Sequence, residues 1–302
     1  MKEIIKIVAS LTAVCVAASL ILGFVYAQTD HRKKEIEEKR HKETIQSLLG
    51  YGPGKKAPDN LKIHHVERFV VNRPDGTIAL GYLLPLKDHK HVFAEIDLNG
   101  KVGEIFTMKA DAAQLSEKST MDAAILADLP KGTKIKHAQT LYVADLGDKR
   151  LGYVVSGSTQ GFKTFIKLMV SLDPQFTVTG VAILHSEEDP GLGDEIKKDF
   201  FKNQFTGKTL ELLKKLTVVK DPLPLEYATA LDPEKAKKKG LTDQQVKEIK
   251  NQHLNDNIYA LTGATISSKA LTVGVVDTVK KFVYRLDILN DAIKDKSLSV
   301  AF

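Results

Sequence analysis

Near its N-terminus the chain has an uncharged apolar run from Ile7 to Ala27, and no other feature restricts its folding more. At about 1.5 Å per helical residue, a run of about 20 residues reaches roughly 30 Å, the thickness of a bilayer core. Lys2 and Lys6 precede the run, which favours a cytoplasmic N-terminus. Val25-Tyr26-Ala27 resembles a signal-peptidase site, but the run exceeds the usual signal core of about 7–15 residues. We predict a retained transmembrane anchor over residues 1–28, with cleavage as the alternative.

Residues 29–60 are predicted to form a charged stalk and linker. His31 to Leu49 is dense in Lys, Glu and Arg with sparse apolar positions, a pattern typical of an exposed helix. Glycines and prolines between Tyr51 and Pro58 then end the helical pattern. A helical stalk followed by a linker is therefore expected to join the anchor to the rest of the chain.

Composition excludes several classes of protein. The chain has 302 residues and a formal charge of +6, but its lysines are dispersed among acids, so nucleic acid is not an expected partner. With a retained anchor or a cleaved signal alike, the part of the chain after the apolar run is expected to be exported. Cys15, the single cysteine, lies in the run, so this exported part has no disulfide or cysteine nucleophile. The histidines lack companions at metal-ligand spacing. We therefore predict no metal site and no catalytic residue.

Residues 61–139 are predicted to form a β-rich N-terminal region. Alternating segments at 65–71 and 78–84 flank a turn-forming group, and Asn99-Gly100 between 92–98 and 102–106 is a strong hairpin signal. A helix is expected from Ala112 to Leu129. The sequence assigns this region no task.

Residues 140–302 are predicted to form the second region of the exported part. Strands are expected at 140–144, 151–156, 162–171 and 177–185. Helices are expected at Asp194–Phe205, after a capping box at Thr242 and Gln245, and over about twenty residues that the hydroxyl turn Leu261–Ser268 opens. Hairpins and helices mix without a regular βαβ alternation. The predicted fold class is α+β: a mainly antiparallel sheet with flanking helices, preceded by one transmembrane helix and a charged helical stalk.

Two glycine turns are the candidate functional residues. Leu261–Ser268 is a hydroxyl-rich turn at a predicted helix start, where unpaired N–H groups and the helix dipole suit a phosphate. The hydroxyl of Thr265 could form an ester with that phosphate. In the alternative interpretation, Thr262 caps the helix and Ser267 and Ser268 are merely exposed. The second turn, Asp189–Gly193, allows the backbone to approach a flat ligand closely.

The chain resembles a known family at these turns. Thr262-Gly263-Ala264-Thr265 is similar to the (Ser/Thr)-Gly-Ala-Thr motif of periplasmic covalent-FMN domains, and Glu188–Asp194 is similar to their Glu-Thr-Pro-Gly-Leu-Gly segment. Phe201–Lys208 matches the aromatic-x-x-Gln-Phe-x-Gly-Lys stretch that follows in the family. Members include the G subunit of the Rnf electron-transport complex and the C subunit of the sodium-pumping NADH:quinone reductase. The resemblance covers roughly residues 141–287.

The resemblance implies a covalent cofactor. A flavin transferase would join FMN through its phosphate to Thr265, and the Pro-Gly-Leu-Gly turn would lie beside the isoalloxazine ring. The cofactor-binding residues that it implies are Thr262, Gly263, Ala264, Ser267, Ser268, Glu188, Gly191, Leu192 and Gly193. Residues 140–302 would then be the FMN-binding domain.

Two positions depart from the family pattern. Tyr259 stands where the motif usually has Asp, with Asp256 and Asn257 nearby, which bears on how efficiently a transferase would attach the flavin. Asp189 stands where the family usually has Thr beside the ring. An ionised carboxylate there would lower the reduction potential of the flavin.

The function implied by the resemblance is electron relay within a membrane redox complex that translocates ions. The chain would be a single-pass subunit of the bacterial inner membrane, with its C-terminal domain on the periplasmic side and other subunits of the complex as partners. The Gly-Leu-Gly-Asp form favours an Rnf-like assembly. Two alternatives remain: an anchored interaction module of the same fold without flavin, and a flavin-bearing regulator or standalone respiratory reductase.

Overall fold

The computed structural model of the protein describes residues 1–52 and 54–302. The side chains of Ala27, His31 and Lys34 lie outside this description. The predicted linker at 51–58 includes Pro53, which also lies outside the described residues. The chain divides into two compact units, Met1–Ser47 and Leu48–Phe302.

The first unit is formed by helix α1, Lys2–Leu48, of 47 residues. The predicted anchor and the predicted stalk are thus parts of one continuous helix. Among the described residues, α1 is the one helix long and apolar enough to cross a membrane, judged by length and composition alone. Helix α1 is consistent with the transmembrane helix expected from the sequence.

The second unit is built on an antiparallel sheet. In the part of the chain that the structure describes, this sheet has eight strands in the order β4-β3-β2-β1-β5-β6-β7-β8. The strands are β1 Leu61–Asn72, β2 Ile78–Pro85, β3 His91–Asp97, β4 Val102–Thr107, β5 Lys134–Leu146, β6 Lys149–Gln160, β7 Phe165–Leu172 and β8 Val178–His185. Together with its flanking helices, the sheet confirms the predicted α+β class.

The sheet consists of two meanders of four strands that meet in the middle. β1 pairs with β2 on one side and with β5 on the other, from Leu61 opposite Leu146 to Asn72 opposite Lys134. The sheet therefore crosses the predicted boundary at residue 140 without a break. The division into 61–139 and 140–302 stays a prediction.

Helices and short strands follow the sheet or connect its halves. The helices are α2 Ala112–Ser116, α3 Lys118–Asp128, α4 Asp199–Lys202, α5 Leu210–Lys215, α6 Leu225–Leu231, α7 Pro233–Lys238, α8 Asp243–Gln252 and α9 Thr265–Asp295, with 3₁₀ turns at Gly193–Lys197 and Asn203–Phe205. β9 Val218–Val219 and β10 Ile258–Tyr259 form a short parallel pair. The capping box at Thr242 and Gln245 is present at the start of α8.

The two faces of the sheet bury separate apolar clusters. Phe282, Leu286 and Leu289 of α9 belong to the larger cluster, together with inward-facing residues of β1–β3 and β5–β8. The smaller cluster joins β1–β3 to α2 and α3, with Phe69 and Phe93 at its centre. Both layers are stabilised because apolar surface is removed from water, which contributes about 25 cal/mol per Å². α9 is thereby fixed along one face of the sheet.

Three predicted helices differ from the observed ones. The helix expected at 112–129 is broken at Glu117, whose backbone is extended at φ −91 and ψ 120. The hydroxyl of Thr120 donates to the backbone carbonyls of Gln114 at 2.8 Å and Glu117 at 3.2 Å, and such local bonds to the backbone compete with a continuous helix. The helix expected at 194–205 is instead α4 between two 3₁₀ turns, and α9 has 31 residues rather than about twenty.

Candidate functional site

Glu188 joins three segments that are distant in sequence. The residue is 4% exposed, and one carboxylate oxygen, Oε1, accepts the backbone N–H groups of Phe162 at 2.8 Å and Lys163 at 3.2 Å. The hydroxyl of Ser267, in the first turn of α9, donates to the other oxygen, Oε2. The turn after β6, the turn after β8 and the start of α9 therefore meet at one buried carboxylate.

The first turn of α9 is held closed by Ser268. Ala264 occupies the N-cap position without a side-chain hydrogen bond, so Thr265 is the first helical residue. The Ser268 hydroxyl accepts the N–H of Leu261 at 3.0 Å and donates to the carbonyl of Ala264 at 2.9 Å. This geometry contradicts the alternative in which Thr262 caps the helix. Ser267 and Ser268 are also buried, not exposed.

The two predicted turns lie against each other. A Cβ atom at Gly193 would lie 2.6 Å from Ser267 Oγ and 2.9 Å from Glu188 Oε2, closer than real Cβ atoms approach such neighbours. A Cβ at Gly263 would lie 3.1 Å from a methyl group of Leu192. Glycine at position 193 is therefore needed for the contact. At Gly263, whose φ is +78, glycine also suits the backbone.

The remaining predicted residues lie at the solvent side of this contact. Thr265 is partly exposed, while Thr262, Gly191 and Leu192 are exposed. Gly191 has a φ of +74 and no neighbour close to where its Cβ would be. The structure thus brings the ten predicted site residues to the junction of the two turns. Their binding role stays a prediction.

Large apolar side chains are exposed around the junction. Leu192 is 48% exposed, and Phe162 and Ile266 are each 59% exposed. Each lies on one of the three segments that Glu188 joins. Exposed apolar groups beside convergent polar groups are typical of a surface that receives a flat ligand or a partner. The sequence motifs assigned Ile266 and Phe162 no role.

The charge of Asp189 is paired. Its carboxylate accepts from the ammonium of Lys163, and both side chains are nearly half exposed. An exposed pair of this kind adds little stability, but it offsets the negative charge that the sequence places beside the predicted ring position. No sequence pattern indicated Lys163 as the partner of Asp189.

Buried groups behind the site fix the segment that leads into the hydroxyl turn. The side-chain amide of Gln204, 2% exposed, accepts the N–H of Tyr259 at 2.8 Å and donates to its carbonyl at 3.3 Å. The Tyr259 hydroxyl donates to Asp256 at 2.8 Å. Burial, followed by that carboxylate, raises the pKa of Tyr259 to about 12. Gln204 lay in a family-like stretch, but the sequence did not reveal this partner.

Lys208 supports the same segment from inside the protein. Its ammonium donates to the carbonyls of Leu254 at 2.8 Å and Asp256 at 2.7 Å, and the residue is 2% exposed. Burial lowers the pKa of Lys208 to about 8, while the charge of Asp256 acts in the opposite direction. The ammonium satisfies two loop carbonyls, so its role is structural.

Comparison with known protein families shows what the region around this junction is similar to. Residues 161–280 match the model of the FMN-binding domain. The matched range contains both turns, Glu188 and the first half of α9. The resemblance inferred from the sequence motifs is therefore confirmed.

Curated relatives carry names from ion-translocating oxidoreductase complexes. The chain is 32% identical over 154 residues to the G subunit of the proton-translocating ferredoxin:NAD⁺ oxidoreductase complex of Clostridium ljungdahlii, covering 51% of this chain and 65% of the relative. It is 29% identical over 136 residues to the G subunit of the Na⁺-translocating ferredoxin:NAD⁺ oxidoreductase complex of Acetobacterium woodii, covering 45% of this chain and 51% of that relative. The matches thus span less than two thirds of either relative's length.

Solved structures of quinone reductase subunits are also similar. NqrC of Shewanella oneidensis aligns with a TM-score of 0.41 at 16% identity, over 82% of this chain and 98% of that chain. The C subunit of the Na⁺-translocating NADH-quinone reductase of Parabacteroides distasonis aligns with a TM-score of 0.35 at 21% identity, over 67% and 77%. Scores this low support no inference about function.

Proposed function

We propose that the chain is a membrane-anchored electron-carrier subunit that binds FMN where the two glycine turns meet, with the flavin phosphate esterified to Thr265. The observation that carries the proposal is the contact between these turns, through Glu188, Gly193 and Ser267, inside a region that matches the FMN-binding domain. Bound FMN supplies one- or two-electron carriage. The chain's own residues position it.

The start of α9 suits the phosphate. Thr265 is the first helical residue and is partly exposed, and the first backbone N–H groups of a helix lack intrahelical acceptors. The positive end of the dipole of this 31-residue helix favours an anion there. Lys269 is exposed one turn later, on the same helix face as Thr265, where its ammonium can approach the phosphate.

The neighbouring segments suit the ring. Leu192 and Phe162 present apolar surface beside the junction, and Gly191 leaves open space over an exposed turn. Lys163 holds the charge of Asp189 in an ion pair, which limits its effect on the reduction potential. These groups would bind and orient the flavin while leaving one side accessible to electron partners.

The relatives' names support a place in a larger assembly. Both curated relatives are named as the G subunit of an ion-translocating ferredoxin:NAD⁺ oxidoreductase complex. We therefore infer other complex subunits as partners, a flavin transferase as the maturation enzyme, and a bacterial inner-membrane position with residues after α1 on the periplasmic side. Co-purification with a tagged chain should recover further membrane subunits. Recovery of the chain alone would favour a standalone reductase or regulator.

The attachment is tested by mass. Full-length chain is produced with a flavin transferase, as native protein and as Thr265→Ala, Thr265→Ser and Thr262→Ala variants. We expect native protein to gain about 438 Da, one FMN less water, and to fluoresce on a denaturing gel. Thr265→Ala should lose both signals, and Thr265→Ser should keep part of them because it retains a hydroxyl.

The variants separate the possible outcomes. Loss of the added mass in Thr262→Ala, with retention in Thr265→Ala, would move the attachment site to Thr262. An unmodified, colourless native protein would contradict covalent attachment, and the flavin-free interaction module would then be favoured.

A further inference from the structure

Two arginine side chains line one small cavity between α9 and the sheet. Arg68 comes from β1, and Arg285 comes from the second half of α9. The cavity has a volume of about 20 Å³. Its further lining includes Tyr82, Gln139, Phe282 and Leu286.

Strand register places three of these residues in a row. Arg68 lies opposite Tyr82 on β2 and opposite Gln139 on β5. The Gln139 amide donates to the carbonyl of Ser156 at 2.7 Å, and its oxygen accepts from Arg285 Nη1 at 3.0 Å. Gln139 is thus held by hydrogen bonds at both ends of its amide, and it positions the guanidinium of Arg285 beside Arg68 and Tyr82.

The two guanidinium groups lack a counter-charge in the described part of the chain. No ion pair there includes Arg68 or Arg285, and Arg68 Nε is buried without a hydrogen-bond partner. Burial, and then the charge of Arg285, lower the pKa of Arg68. Two like charges in a partly buried site repel each other, and an unpaired buried charge is costly. An anion between them would remove both costs.

We propose that this cavity binds one monovalent anion of the size of chloride between Arg68 and Arg285. A water-sized particle needs roughly 10–15 Å³ of such space, so the cavity has room for one small ion. Arg68 Nε and the Tyr82 hydroxyl are available as donors. The apolar side chains of Phe282 and Leu286 limit the space on the helix side.

The bound ion would link α9 to the N-terminal strands β1 and β2. Arg285 lies about 30 Å along the helix from Thr265, at about 1.5 Å per residue, so the site is separate from the proposed flavin phosphate. β1 and β2 belong to the region 61–139, to which the sequence assigned no task. The site does not depend on the proposed function.

Thermal unfolding tests the proposal on full-length chain in detergent. Chloride replaces gluconate, which is too large for the cavity, at constant ionic strength. The midpoint of native protein should rise by about 4 °C, the size expected when binding shifts the unfolding equilibrium about tenfold. Lys280→Gln, which removes an exposed charge from the same helix, should respond like native protein, whereas Arg285→Gln should not respond.

Two further measurements make the result decisive if Arg285→Gln folds poorly. Crystals of native protein soaked in bromide should show an anomalous peak between Arg68 and Arg285. The proposal is wrong if this peak is absent, or if chloride stabilises native protein and Arg285→Gln equally. Stabilisation by acetate but not by chloride would also overturn it, in favour of a carboxylate from a partner.

Discussion

At the scale of single residues, Glu188 determines the geometry of the candidate site. Its two oxygens bind different segments: Phe162 and Lys163 on one side and Ser267 on the other. Glu188 is 4% exposed, so these donors replace the hydration of its carboxylate. Gly193 is required because it packs against this same group.

Gly193→Ala should destabilise the junction. The new Cβ would lie 2.6 Å from Ser267 Oγ and 3.0 Å from Glu188 Cβ, so the turn or α9 must shift. We expect a loss of about 1–3 kcal/mol in the free energy of unfolding, measured by chemical denaturation. Gly52→Ala, where a Cβ meets nothing within 4 Å, is the control. Equal stability of both variants would contradict the packing described for Gly193.

Lys208 should make stability depend on alkaline pH. Its pKa is lowered to about 8 in the folded protein, against about 10.4 in an unfolded chain. Between these values the unfolded state binds more protons, so the free energy of unfolding should rise with pH, by up to about 3 kcal/mol.

Lys208→Met should remove this rise, whereas Lys280→Met at an exposed position should keep it. Denaturation midpoints of the native protein and both variants, measured from pH 7.5 to about 10.5, test whether Lys208 causes the rise. The same slope in the native protein and in Lys208→Met would show that another group titrates.

At the scale of elements, α9 connects the candidate site to the sheet. It lies close to β6 at two glycines, Gly157 on β6 and Gly274 on α9. A Cβ at Gly157 would lie 2.0 Å from Thr278 Oγ1, and one at Gly274 would lie 2.7 Å from Thr159 Cγ2. The absence of side chains at these points lets the helix lie flat on the strand. The helix start is positioned as a consequence.

Gly157→Ala should therefore move α9 and cost about 1–3 kcal/mol. Thr278→Ala in the same chain removes the atom that the new Cβ meets, so the double variant should recover part of the loss. A double-mutant cycle on unfolding free energies measures this coupling. Simple additivity of the two single variants would show that the helix does not rest on this contact.

At the scale of the whole molecule, the chain combines a long apolar helix with one continuous sheet. α1 has the length and composition of a membrane span, and the sheet joins the first and second meanders through β1 and β5. We expect the anchor to depend on the uncharged centre of α1.

Val16→Lys together with Leu20→Lys should release the chain from membranes. Each lysine at the centre of a span costs about 2.5–3.5 kcal/mol on insertion. The fraction that resists alkaline extraction should fall sharply, whereas Ile36→Lys with Thr44→Lys, in the predicted stalk, should leave it unchanged. Full retention of the first variant would show that α1 is not the anchor.

Local features of the fold were predictable from the sequence because their causes lie within a few residues. Asn99-Gly100 gives a hairpin in which Gly100 has a φ of +85, and Thr242 and Gln245 form their capping box. The existence of a helix that the hydroxyl turn opens, although not its first residue or its full length, follows from apolar spacing. The break at Glu117 was not predicted, because side-chain bonds of neighbouring hydroxyls compete with the helix there.

The apolar span, the antiparallel α+β class and the residue types of the two turns could all be inferred from local sequence patterns. Which distant groups meet became evident only in the folded chain. Along the chain, Ser267 and Glu188 are 79 residues apart and Arg285 and Gln139 are 146 residues apart. β1 pairs with β5 although β2, β3 and β4 lie between them in sequence. Such contacts depend on how the whole chain buries its apolar surface, a property that no short pattern contains.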